Sequence, residues 1–345
     1  MFHTLILGMG RAGAKLHLPV LSRVRLAHPE LFAPGPILAY DPFRPHYHAA
    51  DVVAVHSIEE ASGWAPPAQT VVHLCTPPHI RSGMIERLAR CGYRRIIVEK
   101  PLALDLVGLA AIARTRRRYG LDITVATHWL HSGLTQRLLD EMEGGGFGRL
   151  RTIHVVQNKP RFTRSVTVPG HPTAFDVEVP HALAVVLTLA GDATVAGASL
   201  TDMVTDRLRL PRLGRAKLRL DHRSGVHSRI ESNLTSPVRE RRITLQFDRA
   251  TLVGHYPCSD ADNTAQLRVT THNRKQTWSV FADDALFSFI HGTYSRYARS
   301  DAITNTLAVH VDTVRLLTVA KDLCSAGDFV PPLEEEVTER VYGAC

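Results

Sequence analysis

A chain of 345 residues is long enough for two ordinary domains and a sizeable core. With 44% hydrophobic and 21% charged residues it has the make-up of a soluble globular protein, and no run of about 18 apolar residues offers a membrane span. The net charge of +8 raises nucleic acid as a partner, but the arginines are dispersed among acids, and the densest run, Arg114 to Arg118, falls at a predicted helix end ahead of a capping Gly120. Neither a nucleic-acid nor a membrane partner is therefore expected.

The first third alternates two patterns. Residues 3–8 read as a strand, 14–28 as a helix, 36–41 as a second strand and 70–75 as another. A helix over 80–91, a strand at 96–98, a helix at 106–119 and a strand at 123–126 follow. Strands alternating with helices imply βαβ units and a parallel sheet. Beyond about residue 150 the period falls to two: 216–221, 226–234, 243–247, 251–256 and 265–271 alternate apolar with polar residues, as strands with one covered face do. Helices at about 178–190 and 302–325 flank them. The expected fold class is α/β, with a doubly wound parallel sheet in residues 1–125 and an α+β domain with a largely antiparallel open sheet in residues 126–345.

The five cysteines, Cys75, Cys91, Cys258, Cys324 and Cys345, are odd in number and never paired as Cys-x-x-Cys, so no disulfide framework or zinc site is expected. The chain enters its first strand at once, without a basic leader, and a cytoplasmic location is expected. His128 with His131, and His46 with His48, lack a nearby carboxylate or cysteine to complete a metal set, so no metal is expected.

Gly8-Met9-Gly10-Arg11-Ala12-Gly13 follows the first strand and opens a helix. Glycines there permit a tight turn, close approach to a pyrophosphate and helix–strand packing, while the helix N-terminus holds the phosphates. Asp41 ends the second strand as the candidate acceptor for the ribose hydroxyls, which favours NAD because a carboxylate repels a 2′-phosphate. Arg44 is placed to grip such a phosphate, so NADP stays open. His17 reads as packing near the pyrophosphate. Ile96 to Val98 then runs into Glu99-Lys100-Pro101, delivering a carboxylate and an ammonium to the strand end where open parallel sheets bind ligands. Lysine lowers its pKa readily on burial and is a candidate proton donor.

With Gly8-x-Gly10-x-x-Gly13, Thr76-Pro77-Pro78-His79 after a strand, and Glu99-Lys100-Pro101 in order, the chain resembles the Gfo/Idh/MocA family, which includes glucose–fructose oxidoreductase and inositol dehydrogenase. The resemblance implies a Rossmann domain with Thr76, Pro77 and His79 at the cofactor, Lys100 beside nicotinamide and substrate, and a second domain whose open sheet builds homodimers or homotetramers. The family's Asp-x-x-x-His motif has its counterpart in Asp176-Val177-Glu178-Val179-Pro180-His181, so His181 matches the catalytic histidine. Val177 stands at the aspartate position, and Asp176 or Glu178 beside it is placed to orient His181. The family's Asn-aromatic-Arg pocket sequence is here Thr127-His128-Trp129, which puts His128 and Trp129 at the substrate. Lys159 and Arg161, ending a predicted strand, are candidates to contact an anionic substrate.

His181, near a helix N-terminus, is expected to be neutral and able to act as a base, with Lys100 polarising the same oxygen. The leading expectation is an NAD(P)-dependent oxidoreductase interconverting a secondary alcohol and a ketone on a sugar, cyclitol or related polyol. A carbonyl or imine reductase for a non-sugar intermediate, and a non-catalytic nucleotide-binding regulator, are the alternatives.

Overall fold

The computed structural model describes residues 1–167, 170–259, 262–299 and 307–325. Cys345, residues 302–306 of the last predicted helix and residues 326–345 of the expected second domain lie outside them.

Six strands form the first sheet: β1 (His3–Leu7), β2 (Ile37–Tyr40), β3 (Val52–Ala54), β4 (Thr70–Leu74), β5 (Arg95–Glu99) and β6 (Asp122–Ala126). All neighbours are parallel, in the order β3-β2-β1-β4-β5-β6, so the order reverses between β1 and β4. Side chains of β1, β4 and β5 are buried on both faces, as parallel strands covered by helices require. Helix α1 (Leu18–Ala27) covers one face; α2 (Ile58–Trp64), α3 (Arg81–Arg90) and α4 (Leu106–Tyr119) cover the other. Helix α4 begins on an Asp105 side chain that accepts the Gly108 N–H, and it ends at Gly120 in the left-handed region (φ 62°), with Arg116, Arg117 and Arg118 in its last turn. The arginine run is thus a helix end, as its sequence suggested.

Helix α5 (Gly133–Gly144) leads to the second sheet, built from β7 (Leu150–Asn158), β8 (Ala193–Leu200), β11 (Arg215–His222), β12 (His227–Asn233), β13 (Glu240–Phe247), β14 (Ala250–His255), β15 (Thr264–Thr271) and β16 (Gln276–Ala282). The intervening β9 (Met203–Val204) and β10 (Arg209–Leu210) form a separate two-stranded ribbon. The eight-stranded order is β16-β15-β14-β13-β7-β12-β11-β8, antiparallel throughout except for the β7–β12 pair. Its inner face packs against α5, α7 (Val179–Ala190) and part of α9 (Ala308–Ser325); the short α6 (Phe162–Thr167) follows β7. The α/β class with one parallel and one largely antiparallel sheet is therefore present.

Helix α8 (Ala285–Arg299) leaves the second sheet and returns to the first, where Phe289, Ile290, Tyr294 and Tyr297 join the core beside α1. Leu307 and Val314 reach the opposite face. Residues 1–125 alone thus do not complete the core of the first sheet.

Candidate active site

The strand order reverses between β1 and β4, the switch point where open α/β sheets bind ligands beyond the strands' carboxyl ends. A cavity of about 1110 Å3 opens there, larger than the roughly 300–1,000 Å3 typical of one small-molecule site. Its wall includes Gly8, Gly10, Arg11, Ala12, Asp41, Thr76, Pro77, Glu99 and Lys100 from the first sheet's loops. His128, Trp129, Lys159, Arg161, Glu178 and His181 line it from the second half.

The glycine loop divides its duties. Gly8 adopts φ +91° and lies against the Cys75 backbone. Gly13 is packed, not exposed: a Cβ there would sit 2.0 Å from the Gly8 carbonyl oxygen, so this glycine lets the helix close onto the strand. A Cβ on Gly10 would meet nothing within 4 Å, and its open side belongs to the cavity. The Met9 side chain is buried in the core, while its N–H donates to Asp41 Oδ2 at 2.7 Å.

Asp41 also accepts the Phe43 N–H at 2.9 Å, so it both starts a turn and remains on the cavity wall. Three expected cofactor residues are off the wall: Met9, with its side chain in the core, Arg44 and His79. Arg44 is not on the wall; its guanidinium donates to the Met9 carbonyl at 2.9 Å and braces the loop. His79 is exposed on a one-turn helix, Pro78–Ile80, and also misses the wall. The open Gly10, the Asp41 carboxylate at the end of β2, and the buried Thr76 hydroxyl, without a partner among the described residues, form a cradle that fits a dinucleotide.

Beneath the cavity runs a buried polar chain that the sequence does not announce. His17 closes a π-helical turn, Gly13–His17, in which the Leu18 N–H reaches back to the Gly13 carbonyl. Pro19 lacks the N–H that an ordinary α-turn would send to Lys15, which explains the wider turn. His17 is fully buried, with Nε2 2.9 Å from Glu99 Oε1 and Nδ1 2.8 Å from His73 Nδ1. His73 Nε2 lies 3.0 Å from the Tyr294 hydroxyl, which lies 2.9 Å from Thr4 Oγ1. Burial opposes a charged His17, but Cys75 and Glu99 outweigh it and raise its pKa to about 10. Glu99 is lowered to about 2: burial opposes the charge, and the His17 hydrogen bond and charge more than offset it. His17 thus anchors Glu99 from below and is absent from the wall.

Lys100 stands next to Glu99, and its Nζ donates to the Val177 carbonyl. Burial lowers its pKa, with Glu178 and Glu99 opposing that and Lys159 and Arg161 adding to it. Arg81, fully buried, donates to the Pro101 and Thr76 carbonyls and so ties the Lys100 segment to the loop after β4. Across the cavity, His181 occupies the first turn of α7, with Pro180 tolerated beside it. His181 is held between His128, with ring centroids 4.5 Å apart, and Trp129, stacked at 5.9 Å. Its Nδ1 is buried with no hydrogen-bond partner among the described residues. Burial, then His128 and Lys100, push its pKa well below the usual range. A neutral imidazole was expected from the helix dipole; burial is the larger cause.

The two carboxylates beside Val177 separate. Asp176 is buried away from the cavity, accepts the Thr173 N–H and hydroxyl in a capping box, and pairs with Lys321 at 3.1 Å. It holds the loop together and does not reach His181, contrary to its expected orienting role. Glu178 lies on the wall and pairs with Lys159. Burial would raise its pKa, but Lys159 and Lys100 hold it well below the ordinary value. Trp129 is buried and stacks on Tyr256 at 4.2 Å. Arg164, His171, Arg239, Arg241 and Tyr256 also line this side, and none carried a signal in the sequence because each lies outside any motif.

No family model matches the chain, and no curated protein is significantly similar to it in sequence. Solved structures do share its fold. An NAD-binding oxidoreductase from Klebsiella pneumoniae superposes with a TM-score of 0.77 at 16% identity, covering 94% of this chain and 97% of that one. A 3-ketoreductase from Actinomadura kijaniata, in complex with NADP and TDP-benzene, gives a TM-score of 0.73 at 15% identity over 94% and 97% of the two chains. UDP-N-acetylglucosamine 3-dehydrogenase from Acidithiobacillus ferrooxidans gives 0.69 at 18% identity over 93% and 97%. The chain therefore has the two-sheet α/β fold of these oxidoreductases.

Proposed function

We propose that this protein is an NAD(P)-dependent oxidoreductase of the Gfo/Idh/MocA type that interconverts a secondary alcohol and a ketone on a sugar, cyclitol or related polyol. The observation that carries this reading is the pair formed by Lys100, at the end of β5 beside the switch point, and His181 on the facing helix, whose Nδ1 has no hydrogen-bond partner among the described residues. When bound, a nicotinamide cofactor supplies the hydride donor or acceptor. Gly8, Gly10, Arg11 and Ala12 would hold its phosphates, and Asp41 its ribose. Because Asp41 faces the cavity while Arg44 is engaged with the loop, NAD is the preferred form.

Lys100 donates a hydrogen bond to the reacting oxygen, and its lowered pKa eases proton release at that atom. Neutral His181 accepts the hydroxyl proton during oxidation and returns it during reduction. His128 and Trp129 hold the His181 ring, and Glu178 sets the local charge around Lys100 by pairing with Lys159. A dimer or tetramer is supported by the outward face of the eight-stranded sheet, where Trp278 and Val280 are exposed.

The test is Lys100→Ala. Turnover of a polyol substrate, followed at the reduced-nicotinamide absorbance band, is expected to vanish while NAD affinity, measured by fluorescence titration, stays near that of the unmodified protein. Persistent turnover would remove Lys100 from the chemistry, and failure to bind either NAD or NADP would sink the oxidoreductase reading.

A further inference from the structure

The cavity wall carries more positive charge than its carboxylates can neutralise. Each of those carboxylates already has a partner. Asp41 holds the loop N–H groups, Glu99 holds His17, Glu178 pairs with Lys159, Asp283 accepts from Ser132 and Gly133, and Asp284 pairs with Arg23. Three guanidiniums on the same wall, Arg11, Arg161 and Arg164, have no ion pair and no side-chain hydrogen bond among the described residues.

Arg161 is the most telling, because only 6% of it remains exposed. A buried guanidinium without a counter-ion is costly, and it is more so beside two like charges. Burial lowers the Arg161 pKa to about 10, with Arg164 and Arg11 adding to that lowering against Glu178. Arg161 is also near enough to depress the charge on Lys100 and on His171, whose buried Nδ1 has no hydrogen-bond partner among the described residues. Arg161 and Arg164 come from the segment after β7, in the half of the chain that also brings Lys159, Glu178 and His181 to the wall.

We propose that Arg161 and Arg164 form a subsite for a phosphoryl group carried by the substrate, with Arg11 left to the cofactor phosphates. This rests on the oxidoreductase reading and narrows its polyol to a phosphorylated sugar or a nucleotide-diphosphate sugar. Guanidinium forks match phosphate oxygens in pairs, and with Arg11 given to the cofactor phosphates the two remaining guanidiniums, Arg161 and Arg164, call for more negative charge than one carboxylate supplies. The reacting carbon then lies at Lys100 and His181 with the phosphoryl group at the arginines, which fixes which hydroxyl is presented.

The experiment is calorimetric titration of NAD-saturated protein with inorganic pyrophosphate, glucose 6-phosphate, glucuronate and glucose. Pyrophosphate and glucose 6-phosphate are expected to bind about tenfold or more tightly than glucose, and Arg161→Met or Arg164→Met to remove that advantage, given the energy of a charge-assisted hydrogen bond. NAD affinity should remain unchanged in both variants, which also reports that they fold. Equal binding of glucose 6-phosphate and glucose overturns the proposal. So does a loss confined to NAD affinity, which assigns the arginines to the cofactor, or a preference for glucuronate, which replaces phosphate by carboxylate. Should the protein bind no NAD, the oxidoreductase reading fails, while the same titrations on the protein alone still decide the anion subsite.

Discussion

His17 holds Glu99 in place without touching the cavity. Its ring bonds Glu99 on one side and His73 on the other, and the chain continues through Tyr294 to Thr4. Breaking a buried pair by removing one partner costs about 3–5 kcal/mol because the other charge is stranded. The pH dependence follows from the two shifts. The His17 pKa, raised from 6.5 to about 10, makes its contribution complete below 6.5 and lost as pH rises through 10. The Glu99 pKa, lowered from 4.5 to about 2, makes its contribution complete above 4.5 and lost as pH falls through 2. The stability gap between the unmodified protein and His17→Gln should therefore be widest between about 4.5 and 6.5 and shrink steadily toward pH 10. Urea unfolding at a series of pH values reads this directly, and a gap that is constant from pH 6 to 10 would show that His17 is uncharged. The motif residues Gly8, Lys100 and His181 were readable because chemistry ties their types to local spacing. His17 and Tyr294 were not, since a bond spanning |i−j| of 221 between His73 and Tyr294 leaves no local trace.

The strand–turn–helix unit at the N-terminus shows how one glycine pattern serves two purposes that sequence alone cannot separate. At Gly13 an added methyl collides with the Gly8 carbonyl, and overpacking of that kind costs about 1–3 kcal/mol. At Gly10 the same methyl enters open space on the cavity wall. Gly13→Ala is thus expected to lower the melting temperature, whereas Gly10→Ala keeps it and weakens NAD binding by about tenfold or more through lost approach to the pyrophosphate. Differential scanning fluorimetry with and without NAD separates the two, and a destabilised Gly10→Ala would contradict the division. Most βαβ elements were legible, because apolar runs bounded by turn residues mark buried strands. Helix α8 was not. Its Phe289, Ile290, Thr293, Tyr294 and Tyr297 are strand-favouring types, and only their helical spacing, buried as i, i+1, i+4, i+5 and i+8, betrays the element. The π-turn at Gly13–His17 was likewise hidden, as Pro19 reads equally well as a second-position helix proline.

At the scale of the whole molecule, the two sheets share their helices. The chain passes from the second sheet back to the first through α8, where Arg296 forms a two-oxygen ion pair with Asp122 of β6 at 2.6 and 2.9 Å. Helix α9 contributes Val314 to the first core and Leu316, Leu317 and Ala320 to the second, so one helix is common to both. Lys321 near its end bonds the Leu104 carbonyl after the lysine segment and Asp176 before His181, which ties the two sides of the cavity together. Neither half can lose its packing without exposing apolar surface in the other. Thermal unfolding should therefore be one cooperative transition in calorimetry, despite a length at which chains commonly divide into separately melting domains. NAD at one hundred times its dissociation constant should stabilise the native state by about 2.7 kcal/mol and move that transition as a unit. Two transitions, of which only the lower or the upper responds to NAD, would mean that α8 and α9 do not couple the sheets. The cavity between Lys100 and His181 would then be held by the ligand and not by the fold.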